Sequence, residues 1–168
     1  MKSKLSLCAV FCLLCSLLSA QCLETTIYLP DSLGGVNGLS NLVYNAARNK
    51  IYVSGSSDGI VVIDGATNRR AKRVNLDSRL NGLCFAPDLD RIYALLSSPP
   101  SVAVIDCATD TVVAMIPVSV GAFQGCYSPQ SHRLYCLGGA YAFMIDCLTN
   151  QVVWTVPADA DERDIKTT

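Results

Sequence analysis

Three aspartates recur through this chain in one local setting. Asp64, Asp106 and Asp146 each follow an isoleucine and open a turn closed by a threonine, Thr67, Thr109 or Thr149. Converging carboxylates could hold a metal or trade protons, but an identical sequence context at each points to local work, a side chain accepting backbone N–H groups in its own turn. Six cysteines lie beyond residue 20, at Cys22, Cys84, Cys107, Cys126, Cys136 and Cys147, and the single histidine is His132. Beyond residue 20 there is no Cys-x-x-Cys, no His-Glu-x-x-His and no glycine-rich phosphate loop. One histidine among dispersed cysteines is a poor zinc set. No metal, no cofactor and no catalytic residue is expected.

What must position these residues is a passage written three times, at residues 44–74, 85–116 and 127–156. Each copy begins with an aromatic (Tyr44, Phe85, Tyr127), adds a tyrosine after a polar turn (Tyr52, Tyr93, Tyr135), and reaches the Ile-Asp pair. The period is about 42 residues, in the range that signals solenoids, propellers or arrays. Within a copy, short β-branched or aromatic runs alternate with turn signals, and no long window has helical periodicity. Four strands per copy follow, in copy two at about 82–85, 92–96, 101–106 and 111–117, joined by turns containing Pro87-Asp88, Pro99-Pro100 and Thr109-Asp110.

The repeat frame reassigns most of the reactive candidates. His132 falls where the other copies have Asn49 and Asp90, residue types tolerant of left-handed backbone, so it reads as a turn residue. Cys84 and Cys126 share one repeat position, and Cys107 and Cys147 another, which sets each pair a blade apart, too far for bridging Cα atoms within about 7 Å. If the turn is residues 129–132, Cys126 faces Tyr135 and Cys136 points to the opposite side. Buried free thiols packing as small hydrophobes are therefore expected. The basic run Arg69, Arg70, Lys72 and Arg73 falls on an outer strand as a solvated edge. Asp159, Asp161, Glu162 and Asp164 form a polar tail with no calcium-loop frame.

Residues 1–20 read as a secretory signal peptide: Lys2 and Lys4, an uncharged apolar run over 5–18, then Ser19-Ala20. The run is short for a membrane span, and no second one follows. Gln21 stands where lipoprotein signals take a small residue, so a lipid anchor at Cys22 is not expected. An exported chain is the expectation, periplasmic, extracellular or at the cell surface. Removing Lys2 and Lys4 from the 13 basic residues leaves 11 against 14 acidic, a net charge of about −3. Nothing there invites nucleic acid.

One four-stranded sheet cannot bury both its faces, whereas sheets stacked around an axis can. The pattern of Tyr127-Ser128-Pro129, Arg133-Leu134-Tyr135, Val104-Ile105-Asp106, Ala108-Thr109-Asp110-Thr111-Val112-Val113 and Ile116-Pro117-Val118 resembles the YVTN-type β-propeller repeat of exported and surface-layer proteins. The resemblance spans residues 39–157. It departs where the family's first-turn glycine is Arg48, Leu89 or Ser131, and where the namesake tetrapeptide has become Tyr52-Val53-Ser54-Gly55, Tyr93-Ala94-Leu95-Leu96 and Tyr135-Cys136-Leu137-Gly138. It implies an all-β chain of three four-stranded antiparallel propeller repeats, at about 39–76, 81–118 and 123–157. Residues 21–38 would give an N-terminal outer strand, at 25–30, and a loop, and 158–168 the tail.

Propellers usually close with four to eight blades, so three make an incomplete ring. The leading reading is the N-terminal part of a longer propeller, and the alternative is self-association into a homo-oligomer that completes the ring. Ligand contacts are expected on the loops, at Asp58, Asp77, Arg79, Ser98, Phe123 and Tyr141. A non-catalytic binding or surface-structural module, with a protein or cell-surface partner or the remaining blades, is the leading functional expectation. The alternatives are a propeller hydrolase or oxidoreductase, lactonase-like or quinone-dependent, which rests on fold analogy, and a fragment with no function of its own.

Overall fold

Two of the three turns within each repeat are placed by a residue that tolerates an unusual backbone angle. The computed structural model describes residues 25–27, 41–54 and 59–157. Among the described residues the first strand of each blade turns into the second through Asn49, Asp90 or His132, at φ of 48°, 51° and 51°. The third turns into the fourth through Asn68, Asp110 or Asn150, at 53°, 53° and 56°. Asparagine, aspartate and histidine are the non-glycine residues most often found there. The first set matches the sequence expectation for His132. The second set was not foreseen.

These turns fold the described chain into three four-stranded antiparallel sheets with strands in sequence order. The first blade is β1 (Asn41–Asn45), β2 (Lys50–Ser54), β3 (Gly59–Asp64) and β4 (Arg69–Asn75). The second is β5 (Leu80–Ala86), β6 (Arg91–Ser97), β7 (Pro100–Asp106) and β8 (Thr111–Pro117). The third is β9 (Gln124–Ser128), β10 (Arg133–Gly138), β11 (Tyr141–Asp146) and β12 (Gln151–Pro157). Strands of the second copy run slightly longer than read from sequence, except the last. Each outer pair carries a register shift at one repeat position, after Val62, Val104 or Met144. Such bulges deepen the twist.

The sheets stack face to face, and alternate side chains of one strand serve two interfaces. Ile92, Ala94 and Leu96 of β6 join Tyr52, Ile60 and Val62 in a core between the first two blades. Tyr93 and Leu95 join Leu134, Cys136 and Phe143 between the second and third. Burial on both faces explains why β6 and β7 are unbroken apolar runs. On the inside, β5 neighbours both β1 and β9. Asn41 Nδ2 donates to the Asn81 carbonyl at 3.3 Å, and Asn81 Nδ2 to that of Ala122 at 2.9 Å. The three blades leave the ring open.

Two expectations need correction or restriction. Cys126 is exposed, because it lies on the outward face of the last blade, while Cys84, Cys107, Cys136 and Cys147 are buried and free. Cys126 does face Tyr135, with Cys136 opposite Gly125. The expected outer strand at 25–30 falls partly outside the described residues, and its described part, residues 25–27, is not in a strand. Ile27 nonetheless packs against Val53, Val61 and Ile63 on the back of the first blade. Residues 1–20, Cys22 and the acidic tail lie outside the described residues.

Candidate binding surface

The three recurring aspartates do local work. Asp106 Oδ1 accepts the Thr109 backbone N–H at 2.8 Å and its hydroxyl at 2.9 Å. Asp64 accepts from Ala66, Thr67 and the Thr67 hydroxyl, and Asp146 likewise from Leu148 and Thr149. Donors held against a carboxylate favour its ionised form. All three therefore titrate below the usual aspartate range, chiefly through the backbone N–H of Thr67, Thr109 or Thr149. Among the described residues no group of three or more His, Cys, Asp or Glu could hold a metal ion.

A second layer of polar contacts links the blades. Lys50 Nζ donates to Asp110 Oδ2 at 2.6 Å and to the Cys107 carbonyl at 3.2 Å. The Tyr52 hydroxyl donates to Asp110 Oδ1 at 2.7 Å. One blade on, Arg91 and the Tyr93 hydroxyl donate to the Cys147 carbonyl at 3.2 and 3.4 Å. Asn150 occupies the position of Asp110, and its Oδ1 is buried without a partner. Burial pushes the Tyr52 and Tyr93 phenols far above their ordinary range, so they remain donors. Asp88, Tyr127 and His132 form a small cluster where the second and third blades meet, with Tyr127 Oη 3.0 Å from Asp88 and 3.1 Å from His132 Nδ1. Sequence reading missed Lys50, Asp88, Asp90 and Asp110. The recurring basic-x-Tyr, at Lys50 and Tyr52, Arg91 and Tyr93, and Arg133 and Tyr135, was the available signal.

The loop candidates gather at the opposite end. Asp77, at φ 49°, and Arg79 flank Ser78, whose hydroxyl donates to the Ser98 carbonyl at 2.8 Å. The Arg79 carbonyl accepts Ser97 N–H at 3.0 Å, so Asp77, Arg79 and Ser98 share one patch. Phe123 N–H donates to the Leu137 carbonyl at 2.9 Å, and Tyr141 begins β11 opposite Gly138. Phe123 and Tyr141 are both exposed and lie on this second blade junction. Asp58 lies outside the described residues. The loops offer mixed polar and aromatic contacts, suited to recognition, and no nucleophile paired with a base is assembled among these candidates.

A further apolar exposure among the described residues lies on the outward face of the third blade. Tyr135 is 46 % exposed, whereas Tyr52 and Tyr93 at the same repeat position are 0 %. Leu137, Met144 and Trp154 share that face, and a concavity of about 230 Å³ opens between Tyr135, Leu137, Cys126 and Trp154. Strand β12 has six of its seven residues exposed.

No family model matches the chain, and no curated protein matches it. Solved structures do share its fold. Hydrazine synthase of Kuenenia stuttgartiensis aligns with TM-score 0.68 at 16 % identity, over 83 % of this chain and 40 % of that one. U3-55K aligns with TM-score 0.64 at 12 % identity, over 74 % and 41 %. The WD40 repeats of RRP9 align with TM-score 0.65 at 12 % identity, over 77 % and 42 %. The chain thus has a β-propeller fold and spans about two fifths of the length of each of these neighbours.

Proposed function

We propose that the chain is an exported, non-catalytic binding or surface-structural module of the YVTN-type propeller kind, working as part of a larger propeller. The observation that carries this reading is the outward face of β9–β12, where Tyr135 and Leu137 are exposed while Tyr52, Ser54, Tyr93 and Leu95 at the same positions of the other two blades are buried. A sheet face of that composition is stable in water when another surface covers it. The YVTN-type assignment has its support in the threefold sequence pattern, and export in the apolar leader with its two lysines. The loop patch of Asp77, Arg79, Ser98, Phe123 and Tyr141 supplies the contact surface for a protein or cell-surface component.

Affinity capture of the epitope-tagged chain from its native cells, with fractionation of medium, envelope and cytoplasm, tests the reading. A product starting at Gln21 in the exported fractions, retaining a partner that substitutions at Arg79 and Phe123 release, would bear it out. Cytoplasmic retention, or no partner beyond that of a tag control, would overturn it.

A further inference from the structure

The joints between blades are built from two halves, and each end of the three-blade array carries one half that no neighbouring blade occupies. The leading half is a cation at the start of the second strand and a tyrosine two residues on: Lys50 and Tyr52, then Arg91 and Tyr93. The receiving half is the turn after the Ile-Asp pair, whose first carbonyl accepts both groups, at Cys107 and then Cys147. The third blade has a leading half, Arg133, half-buried and 3.8 Å from Asp146 Oδ2, and Tyr135, exposed on its outward face. The first blade has a receiving half, the turn from Asp64 to Asn68.

That receiving turn has the same shape as the two in use. Gly65 N–H donates to the Asn49 carbonyl at 2.8 Å, as Cys107 does to Asp90 at 3.0 Å and Cys147 to His132 at 2.9 Å. Asn68 sits at φ 53°, alongside 53° for Asp110 and 56° for Asn150. The apolar surfaces correspond as well. Val53, Val61 and Ile63 form the back of the first blade, at the repeat positions of Ala94, Ala103 and Ile105, which are packed against blade one.

We propose that the outward face of β9–β12 docks the back of β1–β4 in a second copy of this chain, head to tail, continuing the internal joint between molecules. Arg133 and the Tyr135 hydroxyl then donate to the Gly65 carbonyl of that copy, while Tyr135, Leu137 and Met144 pack on its Val53, Val61 and Ile63. The contact is heterologous and closes if the rotation per copy allows. It rests on the larger-propeller reading and names the chain itself as the source of further blades. In the single chain Val53, Val61 and Ile63 are already buried, with Ile27 packed against them. Docking exchanges Ile27 for the incoming sheet, which weakens association and makes it steeply dependent on concentration.

Sedimentation of the full chain across a hundredfold concentration range, with a photo-crosslinking residue in place of Tyr135 in a parallel sample, tests this. Expected are reversible oligomers, crosslinks mapping to peptides spanning 59–68, loss of association in Leu137→Arg, and a larger associated fraction in Ile27→Ser. Leu137 is already exposed, so a retained β-sheet spectrum and melting curve in Leu137→Arg show that lost association is not lost folding. A monomer at every concentration overturns the proposal, as do crosslinks confined to peptides spanning 124–157, which would mean two outward faces meeting. Either result leaves the larger-propeller reading standing if the affinity capture retains a different partner.

Discussion

The Tyr52 hydroxyl donates to the Asp110 carboxylate 2.7 Å away across the joint between the first two blades, 58 residues apart in the chain. Both groups are buried, and Lys50 completes the site from the same blade as Tyr52. Removing the hydroxyl leaves a buried carboxylate short of one donor. Tyr52→Phe should therefore cost about 1–3 kcal/mol in urea unfolding. Tyr135→Phe in the monomeric chain should change stability little, because its hydroxyl lies on an open face. Equal losses in the two variants would sink the claim that the joint contact is what matters.

Asn150 stands where Asp110 stands, with its Oδ1 buried and unpaired. Asn150→Asp restores a carboxylate facing Arg91 and Tyr93, on a backbone angle that aspartate tolerates. The variant should be more stable by up to about 1 kcal/mol at neutral pH. The gain should vanish in acid, as the new carboxylate is protonated. A destabilised variant at pH 7 would show that the second joint does not reproduce the first.

The turn aspartates set an acid limit. Asp64, Asp106 and Asp146 have folded pKa values below their unfolded values, so the stability they contribute is full above the ordinary aspartate range and is lost as pH falls through the folded values. The melting temperature should decline below about pH 4. Asp106→Ala should lower it at pH 7 and flatten that decline. A variant whose acid profile parallels the parent would contradict the assignment.

Thiol chemistry separates the cysteines by face. Burial pushes the thiols of Cys84 and Cys136 up to about 11 and about 12, and those of Cys107 and Cys147 also upward. At pH 8 a disulfide reagent should label Cys126 within minutes, and the four buried thiols only on unfolding. Cys126→Ser should remove one fast equivalent. Fast labelling of Cys84 in the native chain would mean that the second and third blades separate readily.

Gly138 sits where chain segments pass too closely for any side chain. A Cβ there would lie 2.6 Å from the Gly121 carbonyl oxygen, which is backbone and cannot rotate away. Gly138→Ala should cost about 1–3 kcal/mol, measured by denaturant melts. A neutral result would show that the linking loop yields.

Much of this architecture was written in the chain. The threefold recurrence specified strands, their order and the first-turn residues Asn49, Asp90 and His132, because period-two patterning and left-handed turn residues act locally. The same locality identified the aspartates as turn caps. What tertiary structure alone decided was which copy of a repeated residue is covered. Tyr52, Tyr93 and Tyr135 are equivalent in sequence, yet two are buried and the third is open, because burial depends on whether another sheet lies alongside. Likewise Cys84 is enclosed while Cys126 faces solvent. Local pattern fixes a blade; the neighbour against which it packs fixes what each of its residues can do.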